Sequence, residues 1–223
     1  MAFLRMHPCP KCNSRDNVAE YSDGFYCFGC GWKKSKIKRL DEPKKVKMAN
    51  SLTLDKNLPK NALKWLLSYN LTQDELQQFY FTEKYGYKML VLYVNENYWV
   101  ARNLDEGQKY FSSGEKPYIE YGNKTQKSDI LVFVEDIISA IKVGRQYVAV
   151  PMLGSKPKND WLTHLKKYET IIIWGDRDKA TDNIKLCRRL RETLGKNIEV
   201  IITDLDPKEY SDKEIKEFVD KVL

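Results

Sequence analysis

Four of the five cysteines in this chain stand in two Cys-x-x-Cys pairs, Cys9/Cys12 and Cys27/Cys30, with fourteen residues between the pairs. Each pair makes a tight turn that presents two sulfurs to one point. Two such turns at this separation supply the four thiolates of a tetrahedral zinc site. Pro10 stiffens the first turn, and Gly29 and Gly31 give the second the backbone freedom that close sulfur approach requires. His7 lies beside the set, but four cysteines already fill the shell. A second group is acidic: Glu135-Asp136, Asp176-Arg177-Asp178 and Asp204-Leu205-Asp206 each follow a short apolar run. Carboxylates crowded at one edge repel unless cations sit among them, and hard oxygen ligands suit Mg²⁺ or Mn²⁺. One or two such ions can hold the attacking and leaving oxygens of an in-line phosphoryl displacement. Glu135, Asp176 and Asp178 read as ligands. Asp136, Asp204 and Asp206 read equally well as helix caps and solvated loop acids.

Elements must bring these groups together. Between the cysteine pairs, β-formers flank Ser22-Asp23-Gly24, a hairpin signal, so the first segment reads as a zinc ribbon. So short a segment buries little core, and its folding should depend on the metal. Tyr21, Phe25, Tyr26, Phe28 and Trp32 lie on or beside this hairpin and are each expected to pack beneath the zinc; any left exposed could stack on bases. Residues 33–50 carry eight basic residues in eighteen, interrupted by Pro43, and read as a mobile tether attracted to phosphates. Beyond it, an amphipathic helix around Ala62–Leu67 follows Pro59, and Thr72-Gln73-Asp74-Glu75 is a capping box. Lys88–Val94 and Tyr98–Leu104 form a hairpin across Asn95-Glu96-Asn97, and 107–114 is a basic-aromatic strand.

From residue 128 apolar strands alternate with helices: strands at 130–134, 147–153, 170–174 and 198–203, with helices at about 137–145, 159–167 and 182–194 between them, and a last helix capped by Ser211-Asp212-Lys213-Glu214. Cys187 falls in one of these helices and reads as an ordinary packing residue. Such alternation predicts a parallel sheet covered on both faces, with working residues at the carboxyl ends of its strands. All three acidic groups fall at such ends.

The chain has 223 residues, with 38 Lys and Arg against 31 Asp and Glu, for a net charge of +7. Residues 1–50 hold eleven of the basic and five of the acidic residues, so +6 of that charge lies in the first segment. A basic unit of this kind points to a polyanion, with nucleic acid first. No run approaches the roughly 18 apolar residues of a membrane span, and the first residues lack the apolar stretch of a signal peptide. The expectation is a soluble, cytoplasmic protein (in the host cytoplasm if phage-encoded) without a membrane partner.

A glutamate after one strand, in Val-Glu-Asp-Ile-Ile-Ser-Ala at 134–140, then Met-Leu-Gly at 152–154 and Trp-Gly-Asp-Arg-Asp at 174–178, behind a zinc ribbon, resembles the zinc-ribbon/toprim DNA primases, in particular the primase half of bacteriophage primase–helicases. The resemblance covers nearly the whole chain. It implies an α/β protein with a zinc ribbon at 1–35, a basic linker at 36–55, an α+β N-terminal subdomain of the primase domain at 56–127 and a toprim domain at 128–223. It further implies template-directed synthesis of RNA primers on single-stranded DNA from NTPs, with one structural Zn²⁺ and one or two catalytic Mg²⁺ or Mn²⁺ held by Glu135, Asp176 and Asp178. Lys88, Arg102 and Lys109 fall where the family has its basic strand residues, and Arg102 and Lys109 would meet the triphosphate. A replicative helicase and a DNA polymerase are the implied protein partners. The chain departs from the family at Asp136, where a glycine is usual, at Ser139, where an aspartate is usual, and at Thr181, where a glycine follows Ala180. No P-loop occurs in these 223 residues. Two other readings share the features: a toprim nuclease with water as nucleophile, and a zinc/toprim module that binds DNA without consuming NTPs.

Overall fold

A computed structural model of the chain describes residues 3–35, 52–122, 129–154 and 156–223. The expected linker from 36 to 51 and the expected boundary at 127/128 lie outside these residues. The chain divides into two compact units, Met1–Lys47 and Met48–Leu223.

In the first unit, four short strands form one antiparallel sheet in sequence order: β1 (Phe3–His7), β2 (Val18–Tyr21), β3 (Gly24–Cys27) and β4 (Lys33–Ser35). The predicted hairpin is β2–β3, with Val18 opposite Cys27. The outer strands carry too little apolar pattern to be read: β1 is mostly exposed and β4 is Lys-Lys-Ser. Gly24 is required where β3 meets β4, because a Cβ there would lie 2.7 Å from the Lys34 carbonyl oxygen. The core is small, with Cys9, Val18 and Cys27 buried and Phe25, Cys30 and Trp32 packed against them.

The second unit opens with α1 (Lys60–Leu67) and α2 (Gln73–Leu76), then an antiparallel sheet of β5 (Tyr80–Lys84), β6 (Tyr87–Val94), β7 (Tyr98–Asn103) and β8 (Tyr110–Gly114), again in sequence order. The Thr72 capping box forms as predicted, although α2 is only four residues long. The expected linker runs too far: Leu52 packs against the β6–β7 core, and Asp55 exchanges both backbone hydrogen bonds with Phe81 of β5 (2.8 and 2.7 Å).

A parallel sheet follows, built from β9 (Ile130–Val134), β10 (Val148–Pro151), β11 (Thr170–Asp176) and β12 (Asn197–Thr203) in the order β10-β9-β11-β12. Its helices are α3 (Ile137–Val143), α4 (Leu162–Leu165, entered through a 3₁₀ turn at Asn159–Trp161), α5 (Ala180–Leu194) and α6 (Asp212–Asp220). Both faces are covered. Leu131, Phe133, Ile171 and Ile173 pack on Leu186, Leu190 and Trp161; Val132, Val134, Ile172 and Trp174 pack on Ala140, Val143, Ile215 and Val219. This two-sided burial is why β9 and β11 read as unbroken apolar runs.

Every residue of α3 is buried. Ala140 and Val143 face the parallel sheet, while Ile137, Ile138 and Ile141 share a core with Leu66, Phe79, Leu90 and Val100. One helix is thus the common wall of both sheets. Arg145, just beyond it, reinforces the joint: its guanidinium donates to both Glu75 oxygens (2.8 and 2.7 Å), to both Asp212 oxygens (2.8 and 3.1 Å) and to the Asn70 carbonyl (2.9 Å).

Candidate metal centres and the cleft between two sheets

In the first unit, one sulfur from each of Cys9, Cys12, Cys27 and Cys30 lies within 4.8 Å of the other three. Across the two knuckles, Cys9 Sγ stands 3.7 Å from Cys30 Sγ and Cys12 Sγ 3.7 Å from Cys27 Sγ. Hydrogen bonding to the Ser14 side chain and backbone pulls the Cys12 thiol down to about 6, which favours the thiolate a metal needs. The donor set and its compactness fit a zinc ion. His7 is committed elsewhere, because its ring bonds to Glu20, which also accepts from Arg5 Nε at 2.7 Å.

The ribbon aromatics divide between packing and exposure. Phe25 and Trp32 do pack on the cysteine core, but Tyr26 is 41% and Phe28 63% exposed, as a T-shaped pair 5.2 Å apart. Leu4 and Met6 are also exposed. Strand alternation explains the split: Phe25 and Cys27 lie on the side of the cysteine core, so Tyr26 must point away.

In the second unit, parallel pairing sets the acidic edge. Phe133 of β9 lies opposite Ile173 of β11, and Asp176 of β11 lies opposite Thr203 of β12, so all three strands end at one edge. One oxygen from each of Glu135, Asp176 and Asp206 lies within 4.8 Å of the other two. This trio is not the one the sequence pointed to. Asp206, which read equally as a loop acid, completes it. Asp178, on the 3₁₀ turn Arg177–Lys179 (an overwound start to α5), lines the same cleft beside Asp176. Asp136 caps α3, its carboxylate accepting from Ser139 N at 3.0 Å and from the Ser139 hydroxyl at 3.1 Å. Asp204 is exposed and pairs with Arg177 at 2.7 Å.

Beneath the edge, Trp174 donates its indole N–H to the Thr203 hydroxyl (2.9 Å), which donates to the Leu205 carbonyl (2.7 Å), fixing the path from β12 to Asp206. Asn183 of α5 closes over Gly175, where a Cβ would come within 2.0 Å of the Asn183 Nδ2, so this position beside Asp176 accepts only glycine without rearrangement.

The electrostatics are those of an edge short of positive charge. Burial, then the adjoining Asp178, Asp206 and Glu135 carboxylates, push the Asp176 carboxyl up to about 6. A hydrogen bond from Asp176 holds the Asp178 carboxyl below its ordinary value. Burial, with Asp206 and Asp136 nearby, also raises Glu135. Asp176 Oδ1 is buried without a hydrogen-bond partner. Three convergent carboxylates, one of them with an orphaned oxygen, fit a hard divalent cation.

A cleft of about 440 Å³ opens over this edge. Its acidic wall carries Glu135, Asp176, Asp178 and Asp206; the facing wall comes from the antiparallel sheet, with Leu92, Val100, Lys109 and Tyr110. Lys109 therefore reaches the carboxylates' cleft. Arg102 stands behind this lining: its guanidinium lies 4.4 Å from the Trp65 ring centroid and donates to the Tyr110 hydroxyl at 3.2 Å. Lys88 is exposed and outside the lining. Cys187 is buried and donates to the Ile198 carbonyl at 3.2 Å, a packing residue as expected. No helix is long and apolar enough to cross a membrane among the described residues. No protein-family model matches the chain, and no curated protein matches it.

Proposed function

We propose that the chain is a DNA primase that joins nucleotides on a single-stranded DNA template. The observation that carries this reading is the cleft itself: a convergent carboxylate trio at one edge of a parallel sheet, faced by a lysine and an exposed tyrosine from a second sheet. Polyphosphate chemistry needs both sides, one to hold a cation and one to hold the anionic substrate.

Glu135, Asp176 and Asp206 would hold a divalent ion, with Asp178 beside them; when bound, such an ion supplies Lewis-acid polarisation of the α-phosphate and acidifies the attacking 3′-hydroxyl. Lys109 and Lys179, both in the cleft lining, neutralise triphosphate charge. Tyr110 offers a ring for a base, and Arg102 fixes that ring through its hydroxyl. Leu92, Val100 and Leu153 give the cleft an apolar floor that excludes water from the reacting groups. The 3′-oxygen forms a bond to the α-phosphorus as the bond to the departing pyrophosphate breaks, and holding both reactants in one cleft supplies the alignment.

Two further surfaces support a nucleic-acid substrate. Tyr26 and Phe28 give the zinc ribbon an exposed aromatic face of the kind that stacks on unpaired bases. On α5, Lys185, Arg188 and Arg189 share an exposed face and make no ion pair among the described residues, a favourable path for a phosphate backbone. A helicase and a polymerase would be the partners of such an enzyme.

The test is incubation with Mg²⁺, four labelled NTPs and a mixed-sequence single-stranded DNA. Short oligoribonucleotides that disappear with Asp176→Asn, while template binding persists, are the expected result. Degraded template would replace this reading with a nuclease. Intact, bound template with no product would replace it with a binding module.

A further inference from the structure

The cleft holds a cation of its own that the reaction scheme above does not use. Lys208 sits on a 3₁₀ turn, Pro207–Glu209, that follows β12. Its Nζ lies 2.8 Å from Asp136 Oδ2 and also bonds to Asp206 Oδ2, and the side chain is 13% exposed. The turn beneath it is fixed as well. Lys142, fully buried in α3, donates its ammonium to the Lys208 carbonyl at 2.9 Å and to the Tyr210 carbonyl. The Tyr69 ring closes one side, its centroid 5.9 Å from Lys208 Nζ. This is a placed ammonium and not a solvated side chain that happens to lie nearby.

Its position matters for how many ions the edge can take. Lys208 already joins Asp136 and Asp206, two of the carboxylates that line the cleft. Asp136 has both oxygens engaged, one by the Ser139 amide and the other by the Ser139 hydroxyl and Lys208. Asp206 gives Oδ2 to Lys208 and also belongs to the trio with Glu135 and Asp176. A second divalent ion bridging Asp136 and Asp206 would have to expel a buried, doubly paired ammonium, leaving it without a counter-charge.

We propose that Lys208 fills the second cation position of this edge, so that the site loads one divalent ion, at Glu135, Asp176 and Asp206, and not two. The inference rests on the metal-binding part of the functional reading and not on the identity of the product.

The experiment is a Mn²⁺ titration of the full zinc-loaded chain, with free Mn²⁺ counted by electron paramagnetic resonance. The wild type is expected to bind one Mn²⁺, and Asp176→Asn to weaken that binding by at least about tenfold. Lys208→Gln and Lys208→Met should each admit a second ion, whereas Lys208→Arg, which keeps the charge, should stay at one. Two ions of comparable affinity in the wild type would overturn the proposal without recourse to any variant. So would no bound ion, or an unchanged count in folded Lys208→Gln and Lys208→Met. Primer synthesis is scored separately: a one-ion chain that makes no primers removes the primase reading and leaves this one standing, and a two-ion chain that makes primers does the reverse.

Discussion

The four-cysteine unit and the acidic-edge unit both gather side chains able to ligate a metal within 4.8 Å, yet they reach that arrangement from opposite directions. Among the described residues of the first unit only Cys9, Val18, Ala19 and Cys27 are buried apolar residues, and two of the four belong to the cysteine cluster. The core of that unit is the site. In the second unit the carboxylates sit at the rim of a sheet whose Phe133, Ile172 and Trp174 are buried independently of them, each contributing about 1.5–3 kcal/mol. There the fold exists first and carries the acidic edge at a cost. A cluster of ligands can therefore be what a structure is made of or what it tolerates.

The largest effect should come from breaking the ribbon's side of this comparison. Zinc chelation, or Cys27→Ser, is expected to unfold residues 3–35, removing metal-linked folding energy on the order of 10 kcal/mol. Amide exchange read residue by residue would show it, with β9 and β11 still protected. Protected β2 and β3 amides after chelation would end the idea that the metal is the core.

The second unit should fail instead at its protein-made joints. Arg145→Ala removes the cation shared by the mostly buried Glu75 and the half-exposed Asp212, at a cost of about 3 kcal/mol. Burial alone would raise the Glu75 carboxyl, but Arg145 and the Thr72 backbone hold it below its ordinary value. Its contribution is therefore complete above the unfolded pKa of about 4.3 and is lost as pH falls through the lower folded value. Urea denaturation at pH 7 and pH 3 should show the gap between wild type and Arg145→Ala narrowing in acid. A gap independent of pH would mean that packing, and not the ion pair, holds the joint.

The smallest effect has the most telling sign. Asp176 is pushed up to about 6, so the folded chain binds more protons than the unfolded one between about 3.9 and 6, and stability falls as pH rises through that window. In the absence of divalent ions, Asp176→Asn should then stabilise the chain at pH 7 by about 1 kcal/mol, a figure already reduced for solvent screening. Mg²⁺ should raise the melting temperature of the wild type and not of the variant. A destabilised Asp176→Asn in chelator would show that the carboxylate supports the fold.

Legibility in the sequence followed the physics of each element. The parallel strands were readable because residues 131–134 and 171–174 are buried on both faces and so are apolar throughout. The capping boxes at Thr72 and Ser211 are local and formed as written. What stayed hidden depends on neighbours distant in sequence. β1 and β4 exist because a central hairpin offers them edges, not because Phe3–His7 or Lys33–Ser35 favours a strand. β5 is held on one side by the Asp55–Phe81 bridge, which no pattern within it announces. In the site, Glu135 and Asp176 were found from their place at strand ends. The choice of Asp206 over Asp178 as the third close carboxylate turns on the overwound start of α5 and on the Trp174–Thr203–Leu205 relay. Lys208 gave no signal, since its partner Asp136 lies seventy-two residues away.

The helix shared by both sheets has a mechanical consequence. A cleft whose walls belong to separately packed bodies can open and shut like a hinge, and its turnover then follows that motion. Here α3 buries residues toward both walls, and Arg145 ties α2 to α6 across its end. Opening the jaw would mean tearing Ile137, Ile138 and Ile141 out of a core. The cleft is a rigid vice, so whatever enters must already fit its gap, and selectivity falls to shape at the mouth instead of to closure around the guest.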